Sequence, residues 1–270
     1  MSFVWRKLSP AKWDDVWPER LAEFVDRLAI TALAGSKTSR LEVFALDRRD
    51  ATRLAKEFGG TVSKQTRDWL KAPAAPRAPI NVRGRLYIVT SEAERPVGKA
   101  ALIVPAGMAF GTGEHATTLN CLRFVADFAA AQTARWELLD VGCGSGILAL
   151  AARALGATKV EAGDFDPDCV RTAKQNVRLN KLRGVAVRKM DVFDWKPART
   201  WPAITANLYS TILIQIAPKL ARALAPGGTL IFSGVMRDQE REVVAAFRKA
   251  GLRIGDIKRQ GKWIAGTAHR

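Results

Sequence analysis

The sequence Leu138-Leu139-Asp140-Val141-Gly142-Cys143-Gly144-Ser145-Gly146 joins an apolar run to three glycines at alternate positions. The apolar run is typical of a buried strand, and helical periodicity begins directly after the last glycine. Glycine permits the positive φ of a tight turn and lets a ligand approach the backbone closely. A strand, a glycine loop and a helix in this order predict a doubly wound α/β sheet, with a nucleotide-type cofactor beyond the carboxyl end of its first strand.

Apolar runs and helical patterns alternate from this stretch to the end of the chain. Near-continuous apolar strands that alternate with helices indicate a parallel sheet covered on both faces. The last two apolar segments, residues 253–257 and 262–268, predict a C-terminal antiparallel hairpin. Strands are predicted over residues 137–141, 159–165, 185–190, 203–207 and 229–233, and helices over residues 147–155, 167–180, 211–224 and 239–250.

The amino-terminal part has a different organisation. Apolar residues recur at helical steps between residues 10 and 30, residues 41–46 alternate weakly like a strand, and residues 50–58 look helical up to a pair of glycines. Three prolines within residues 71–79 indicate an extended linker. The predicted domains are a small N-terminal α/β domain (1–65), a proline-rich linker and strand (66–95) and the cofactor-binding domain (96–270).

Composition limits the class of protein. Apolar residues make up 48% and charged residues 26% of the 270 residues, which argues against disorder. We find no apolar run long enough for a membrane span and no signal peptide. Three cysteines without metal-type or paired spacing predict reduced thiols, no metal site and a cytoplasmic location.

The net charge of +17 predicts attraction to RNA or another polyanion. Residues 1–100 carry 19 Lys/Arg against 12 Asp/Glu, and residues 101–270 carry 24 against 14. Both parts share the excess, so the sequence favours a generally basic or ribosome-facing surface with nonspecific RNA contact over a dedicated nucleic-acid module.

The glycine spacing and one carboxylate indicate which cofactor the loop holds. Dinucleotide sites prefer GxGxxG, whereas this loop has GxGxG and an acidic Asp140 two residues before its first glycine. A carboxylate there repels a pyrophosphate but suits the cationic ammonium and sulfonium of S-adenosylmethionine. Gly142 and Gly144 are therefore candidate cofactor contacts. Asp164 follows at the end of the second strand, where a carboxylate accepts the ribose hydroxyls, while Asp166 suits a helix N-cap.

Two more polar residues end predicted strands. Asp191 ends the third strand and faces either the adenine amino group or solvent. Asn207 ends the fourth strand, where it orients an incoming amine or the cofactor's methionine part, or serves only as a turn residue. The Asn/Asp-Pro-Pro-aromatic run typical of enzymes that methylate base amines does not occur there.

Residues 105–118 read Pro-Ala-Gly-Met-Ala-Phe-Gly-Thr-Gly-Glu-His-Ala-Thr-Thr, and the paired threonines are predicted to cap a helix. With the glycine loop and residues 163–167, 206–209 and 226–235, this segment resembles the bacterial ribosomal protein L11 methyltransferase family over about residues 100–268. The resemblance implies a Rossmann-like methyltransferase sheet and S-adenosylmethionine-dependent methylation of lysine and N-terminal amines on a large-subunit ribosomal protein. It also implies a small N-terminal domain that grips the substrate on a flexible linker.

The resemblance assigns site residues by motif position. Thr118, Gly142, Asp164 and Asn207 look like cofactor contacts, with Phe110 and Gly113 beside them. His115 and Asn207 are the candidate catalytic residues, and Glu114 is a second candidate base.

The sequence also departs from the family pattern, which leaves the substrate open. Glu114 and Ala116 replace the usual residues of the motif, and residues 1–60 show no motif of the family's N-terminal domain. The alternatives are a lysine methyltransferase of another protein, such as an electron-transfer flavoprotein subunit, an RNA methyltransferase, or a non-catalytic cofactor-binding module.

Overall fold

A computed structural model describes residues 3–14, 16–33, 36–64, 78–105 and 113–270. The chain divides into two compact units, Met1–Pro73 and Ala74–Arg270. The second unit therefore begins well before residue 96, the start expected for the cofactor-binding domain, because strands of the expected linker segment pair within this unit.

The first unit is a four-stranded antiparallel sheet with strand order β2-β3-β1-β4. Its core gathers buried side chains from the sheet and the helices, among them Trp5, Leu41 and Leu54. The strand and the helix predicted at residues 41–46 and 50–58 are both present. Its elements are β1 (Phe3–Pro10), α1 (Trp17–Arg20), β2 (Leu28–Ala32), β3 (Thr38–Leu46), α2 (Arg48–Phe58) and β4 (Thr61–Lys64).

The single helix predicted over residues 10–30 is wrong. The segment forms a 3-10 turn (Ala11–Trp13), the four-residue α1, a second 3-10 turn (Ala22–Arg27) and then β2. Pro18 lies in the first turn of α1 and lacks the amide that a helix continuing from residue 10 would need. The helical pattern still marks the buried face in part, since Trp17 is 5% exposed whereas Trp13 is 46% exposed.

The second unit contains a small sheet with strand order β5-β6-β7 and a seven-stranded sheet with order β10-β9-β8-β11-β12-β14-β13. The elements of this unit are β5 (Ile80–Val82), β6 (Leu86–Val89), β7 (Ala101–Ile103), α3 (Ala116–Ala130), β8 (Glu137–Val141), α4 (Ile147–Ala154), β9 (Lys159–Asp164), α5 (Pro167–Leu179), β10 (Val185–Lys189), β11 (Trp201–Asn207), α6 (Ser210–Ala223), β12 (Leu224–Met236), α7 (Glu240–Lys249), β13 (Arg253–Gln260) and β14 (Trp263–His269).

The seven-stranded sheet confirms the predicted doubly wound α/β fold. Five strands are parallel, and β14 runs antiparallel to both β12 and β13, which forms the predicted C-terminal hairpin. Leu138 and Leu139, neighbours in β8, belong to apolar clusters on opposite faces of the sheet, so helices cover both faces. The chain order reverses between β8 and β11, and ligands of such sheets bind outside the carboxyl ends of the strands at that switch point.

In the part of the chain that the structure describes, every helix is too short or too polar to span a bilayer.

Candidate functional site

The glycine loop after β8 is held in a conformation that requires its glycines. Gly142, Gly144 and Gly146 have φ angles of 74°, 52° and 79°, where side chains other than glycine are strained. The amides of Gly142 and Cys143 both donate to the carbonyl of Gly163 in β9, at 2.8 and 3.0 Å. The loop is therefore fixed to the neighbouring strand, and α4 begins directly after Gly146.

Asp164 at the end of β9 is tied to the same loop. Its Oδ2 accepts a hydrogen bond of 2.8 Å from the Gly144 amide, and its Oδ1 accepts one of 3.0 Å from the Asp166 amide. The side chain is only half-buried. A carboxylate has about four acceptor sites, so two amide bonds leave acceptor capacity toward the crevice.

The two other acidic residues on this side of the sheet support turns. Asp166 caps α5, because its side chain accepts from the Asp168 amide at 2.8 Å and Pro167 occupies the first turn. This is the capping role expected from the sequence. Asp191 follows β10, and its Oδ1 accepts from the Phe193 amide at 2.8 Å, which closes a local turn.

Asp140 lies beneath the loop, where it is 1% exposed. The hydroxyl of Thr205 in β11 donates to its Oδ1 at 2.7 Å, while its Oδ2 is buried without a hydrogen-bond partner among the described residues. Burial raises the pKa of Asp140 to about 7, although the Thr205 hydroxyl opposes this rise. The carboxylate predicted to face a cationic ligand is thus covered.

Asn207, at the end of β11, lies against the first turn of α3. Its Nδ2 is 3.4 Å from the hydroxyl oxygens of both Thr117 and Thr118, which are each 1% exposed. The sequence predicted that these threonines cap the helix, but the N-cap is His115 and makes no side-chain capping bond. The threonines instead face across to β11, so the fold brings the predicted site residues Thr118 and Asn207 together.

His115 joins this cluster through Thr117. Its Nδ1 is 2.7 Å from the Thr117 hydroxyl, and its ring packs edge-on against Trp263 in β14 with centroids 5.1 Å apart. Burial lowers the pKa of His115 below its usual 6.5, so the imidazole is neutral at pH 7. No local sequence pattern indicated a role for Trp263, because only the sheet order brings β14 near α3.

The remaining candidates of the family segment differ in placement. Gly113 is buried with φ of 96°, and a methyl group there would lie 3.1 Å from the Ile80 side chain. Glu114 is exposed and lines a small cavity with Thr90 and Glu94. Phe110 lies outside the described residues.

Two large aromatic side chains are exposed at the strand ends that flank the glycine loop. Phe165 follows Asp164 and is 62% exposed, and Tyr209 follows Asn207 by two residues and is 70% exposed. The strands β9 and β11 lie on either side of β8, so the crevice at the switch point has an aromatic residue on each side. Such exposure leaves apolar surface available for a ligand or substrate.

The segments that form the site are acidic. Residues 113–118, 137–147, 162–168 and 203–210 contain four Asp and two Glu and no Lys or Arg, in a chain of net charge +17. The nearest cation on the neighbouring strand is Lys189, whose Nζ is 5.6 Å from the centre of the Phe165 ring. Segments with an excess of carboxylates are poorly suited to a pyrophosphate, whereas they attract a positively charged ligand.

Comparisons with known proteins agree with this geometry. The sequence model of a family described as ribosomal protein L11 methyltransferase matches residues 9–270. This match corrects the expectation that the family resemblance begins near residue 100 and leaves out the N-terminal domain.

Individual relatives carry the same name. The chain is 37% identical over 207 residues to the ribosomal protein L11 methyltransferase of Heliobacterium modesticaldum, covering 75% of this chain and 64% of that protein. It is 37% identical over 205 residues to that of Pelobacter propionicus, covering 74% and 66%. The matched part is thus less than two thirds of the length of either relative.

A solved structure shows the same fold. The crystal structure of ribosomal protein L11 methylase from Lactobacillus delbrueckii subsp. bulgaricus superposes with a TM-score of 0.64 at 31% identity, covering 72% of this chain and 99% of that one.

Proposed function

Because the chain belongs to the ribosomal protein L11 methyltransferase family, we propose that it transfers methyl groups from S-adenosylmethionine to amines of a large-subunit ribosomal protein. The observation that carries this proposal is the acidic crevice in a basic protein. Both the proposed methyl donor and a lysine substrate arrive with positive charge, and the four segments that form the site contain no Lys or Arg.

The side chains at the switch point fit this cofactor. Asp164 retains acceptor capacity for ribose hydroxyls after accepting two backbone amides. Phe165, next to it and exposed, offers an apolar face for the purine. Thr118 and Asn207 would hold the amino-acid part beside the glycines of the loop. When bound, the cofactor supplies an electrophilic methyl group on a positively charged sulfur.

The protein must present the substrate amine in its neutral form. A lysine of pKa 10.4 loses its proton at pH 7 at a cost of about 4–5 kcal/mol. Tyr209 is exposed at the mouth of the site, where its ring would exclude water from the lysine stem and lower that cost. The Asn207 amide would then orient the lone pair, and alignment of this kind accounts for much of the acceleration in such transfers.

His115 would fix the position of Asn207. The hydrogen bond between His115 Nδ1 and the Thr117 hydroxyl places that hydroxyl 3.4 Å from the Asn207 amide. Since the imidazole is neutral at pH 7, its free electron pair also suits a proton acceptor for the amine. Comparison of His115→Ala with His115→Gln distinguishes the positioning role from the role of proton acceptor.

The first unit would recognise the protein substrate. Its support is the family match, which runs from residue 9 and so includes most of this unit. A substrate that is part of the ribosome would place the enzyme in the cytoplasm.

Incubation of the purified chain with methyl-labelled S-adenosylmethionine and intact ribosomes, followed by separation of protein from RNA, tests the proposal. We expect the label in one large-subunit protein, on lysine or N-terminal amines, and no label with the Asp164→Ala variant. Label in RNA would assign an RNA methyltransferase. If ribosomes stay unlabelled while an electron-transfer flavoprotein subunit is labelled, the substrate proposal is wrong although the enzyme class stands. Absence of label from all three would favour a non-catalytic module.

A further inference from the structure

The strongest local charge in the second unit is at the edge of the seven-stranded sheet, on β10 and the helix α5 that precedes it. Residues 169–190, which contain most of α5 and all of β10, hold seven Lys/Arg and no Asp/Glu. The even distribution between the two parts of the sequence concealed this concentration. We call this surface the basic face. Its seven residues are Arg171, Lys174, Arg178, Lys181, Arg183, Arg188 and Lys189.

The fold gathers these cations onto one exposed surface. Arg171, Lys174 and Arg178 fall within an arc of about 60° on α5, at the 100° per residue of an α-helix. The strand β10 is the edge strand of the sheet, and α5 connects it to β9. All seven residues are exposed, so their charges face solvent.

Most of these charges have no carboxylate partner. Arg171 forms an ion pair with Asp168, and Nη2 of Arg188 lies 3.4 Å from Oε2 of Glu161. No ion pair within the described ranges involves the other five residues of the basic face. Asp164 and Asp166 precede the N-terminal end of α5, beside the crevice, and Lys189 lies at this same end, because it pairs in register with Asp164. Arg178, Lys181 and Arg183 lie at or beyond the C-terminal end of α5, where no carboxylate is interleaved with them.

Lys181 occupies a backbone position that normally suits glycine. It follows Asn180, the C-cap of α5, with φ of 52°, and the amides of Lys181 and Leu182 close the helix end by donating to the Arg178 and Val177 carbonyls. Glycine is the usual residue at this left-handed position because a side chain is disfavoured there. The presence of a lysine in this disfavoured conformation points to a function for its charge.

Structural roles explain only part of the basic face. A cation near the helix C-terminus interacts favourably with the helix dipole, which accounts for Arg178. Charged residues on an edge strand prevent sheet extension, which accounts for Arg188 and Lys189. Neither role explains Lys174 in the middle of α5, nor a lysine at the left-handed position.

We propose that the basic face is a docking surface for the phosphate backbone of RNA. Exposed, unpaired cations without interleaved carboxylates complement a phosphate chain, and such contacts bind without reading sequence. The choice of RNA over other polyanions rests on the proposed function, because a ribosomal protein substrate is surrounded by RNA. Docking there would hold the enzyme beside its substrate while the crevice at the other end of α5 remains open.

The test is the affinity of the full chain for a fluorescein-labelled 20-nucleotide RNA, measured by anisotropy from 50 to 300 mM salt without cofactor. The triple variant Lys174→Glu/Arg178→Glu/Lys181→Glu should bind at least 10-fold more weakly at 100 mM salt. The slope of log affinity against log salt should fall by about 2, since each lost phosphate contact on a single strand contributes about 0.7.

The control carries the same change in net charge on another exposed helix. Arg241→Glu/Arg248→Glu/Lys249→Glu alters α7, which also carries Glu240 and Glu242 in its first turn. This control variant should bind the RNA less than 3-fold more weakly than the wild type. Equal losses of RNA affinity in the two triple variants would show that net charge alone causes the effect, and would overturn the proposal. Unchanged RNA binding by the Lys174→Glu/Arg178→Glu/Lys181→Glu variant would also overturn the proposal. The same holds if this variant binds RNA normally and binds only phosphatidylserine vesicles more weakly.

A single substitution keeps the test valid if the triple variant unfolds. Lys181→Gly removes a cation and relieves the left-handed side chain, so it should bind RNA about 2-fold to 3-fold more weakly while melting no lower than the wild type. Unchanged affinity would contradict the role of Lys181. Because these measurements need no methyl transfer, they remain informative even if the proposed activity is wrong.

Discussion

The backbone amide of Gly144 donates a 2.8 Å hydrogen bond to Oδ2 of Asp164. This bond joins the loop after β8 to the end of β9, so the glycine turn and the proposed ribose carboxylate form one unit. The position of Gly144, the second glycine of the loop, therefore depends on Asp164.

Asp164→Asn should weaken S-adenosylmethionine binding by more than 100-fold, because the amide has fewer acceptor sites and no charge for the ribose hydroxyls. Isothermal titration measures this directly. Asp168→Asn is the matched control, since Asp168 is exposed on the same segment and pairs with Arg171. Wild-type affinity in Asp164→Asn would refute the ribose assignment.

His115→Ala should lower kcat by about 10-fold to 100-fold and leave the cofactor Kd unchanged, because His115 reaches the site through Thr117. His115→Gln keeps a side chain able to bond the Thr117 hydroxyl. Recovery of kcat in His115→Gln would assign a positioning role. In that case the pH profile of kcat would lose no ionisation below pH 6.5, whereas a proton acceptor would lose one. A large change in cofactor Kd would contradict both roles.

Asp140 should make the protein less stable as pH rises. Its folded pKa of about 7 lies above the ordinary 3.8, so the folded state binds more protons between these values. The stabilisation is therefore complete below about pH 4 and is lost as pH rises through 7. A shift of three units corresponds to at most about 4 kcal/mol of unfolding free energy.

Denaturant unfolding of the ligand-free protein at pH 5 and pH 8 measures this effect. The difference in unfolding free energy between wild type and Asp140→Asn should change by a few kcal/mol between the two pH values, in favour of the variant at pH 8. Parallel behaviour of the two proteins at both values would show that Asp140 is ionised throughout.

Gly234→Ala should be more destabilising than Gly227→Ala. The two glycines have similar φ angles of 83° and 74°, so both substitutions incur the left-handed cost of roughly 1–2 kcal/mol. A methyl group at Gly234 would in addition lie 2.3 Å from the Leu208 carbonyl oxygen, whereas nothing lies within 4 Å of one at Gly227. We expect a further loss of about 1–3 kcal/mol for Gly234→Ala.

Gly234→Ala should also lower the affinity for S-adenosylmethionine more than Gly227→Ala does. Leu208 also covers the glycine loop, since a methyl group at Gly142 would lie 2.3 Å from its side chain. Movement of Leu208 in Gly234→Ala therefore disturbs the loop and the adjacent Asn207. Equal melting temperatures and equal cofactor affinities for the two variants would show that the backbone relaxes without cost.

Most of the second unit could be predicted from local patterns. The strands β8 to β12 and the helices α4 to α7 lie where apolar runs and helical periodicity put them, because buried strands and amphipathic helices have distinct repeats. The structure of the first unit was harder to predict from local patterns. Trp13, Trp17 and Leu21 follow helical spacing, but Pro18 interrupts the segment and short turns place the same side chains in the core.

The glycine loop, the acidic residue at position 164 and the β-α alternation could be read from the sequence, because each depends on residues close together in the chain. The three-dimensional fold was needed to show that Thr117, rather than capping α3, bridges His115 and Asn207, and that Trp263 packs against His115. It also decided that Asp140 is covered and that the cations of α5 and β10 share one edge. These relationships join residues far apart in sequence, and the order in which strands pair in the sheet, which no local pattern encodes, brings them together.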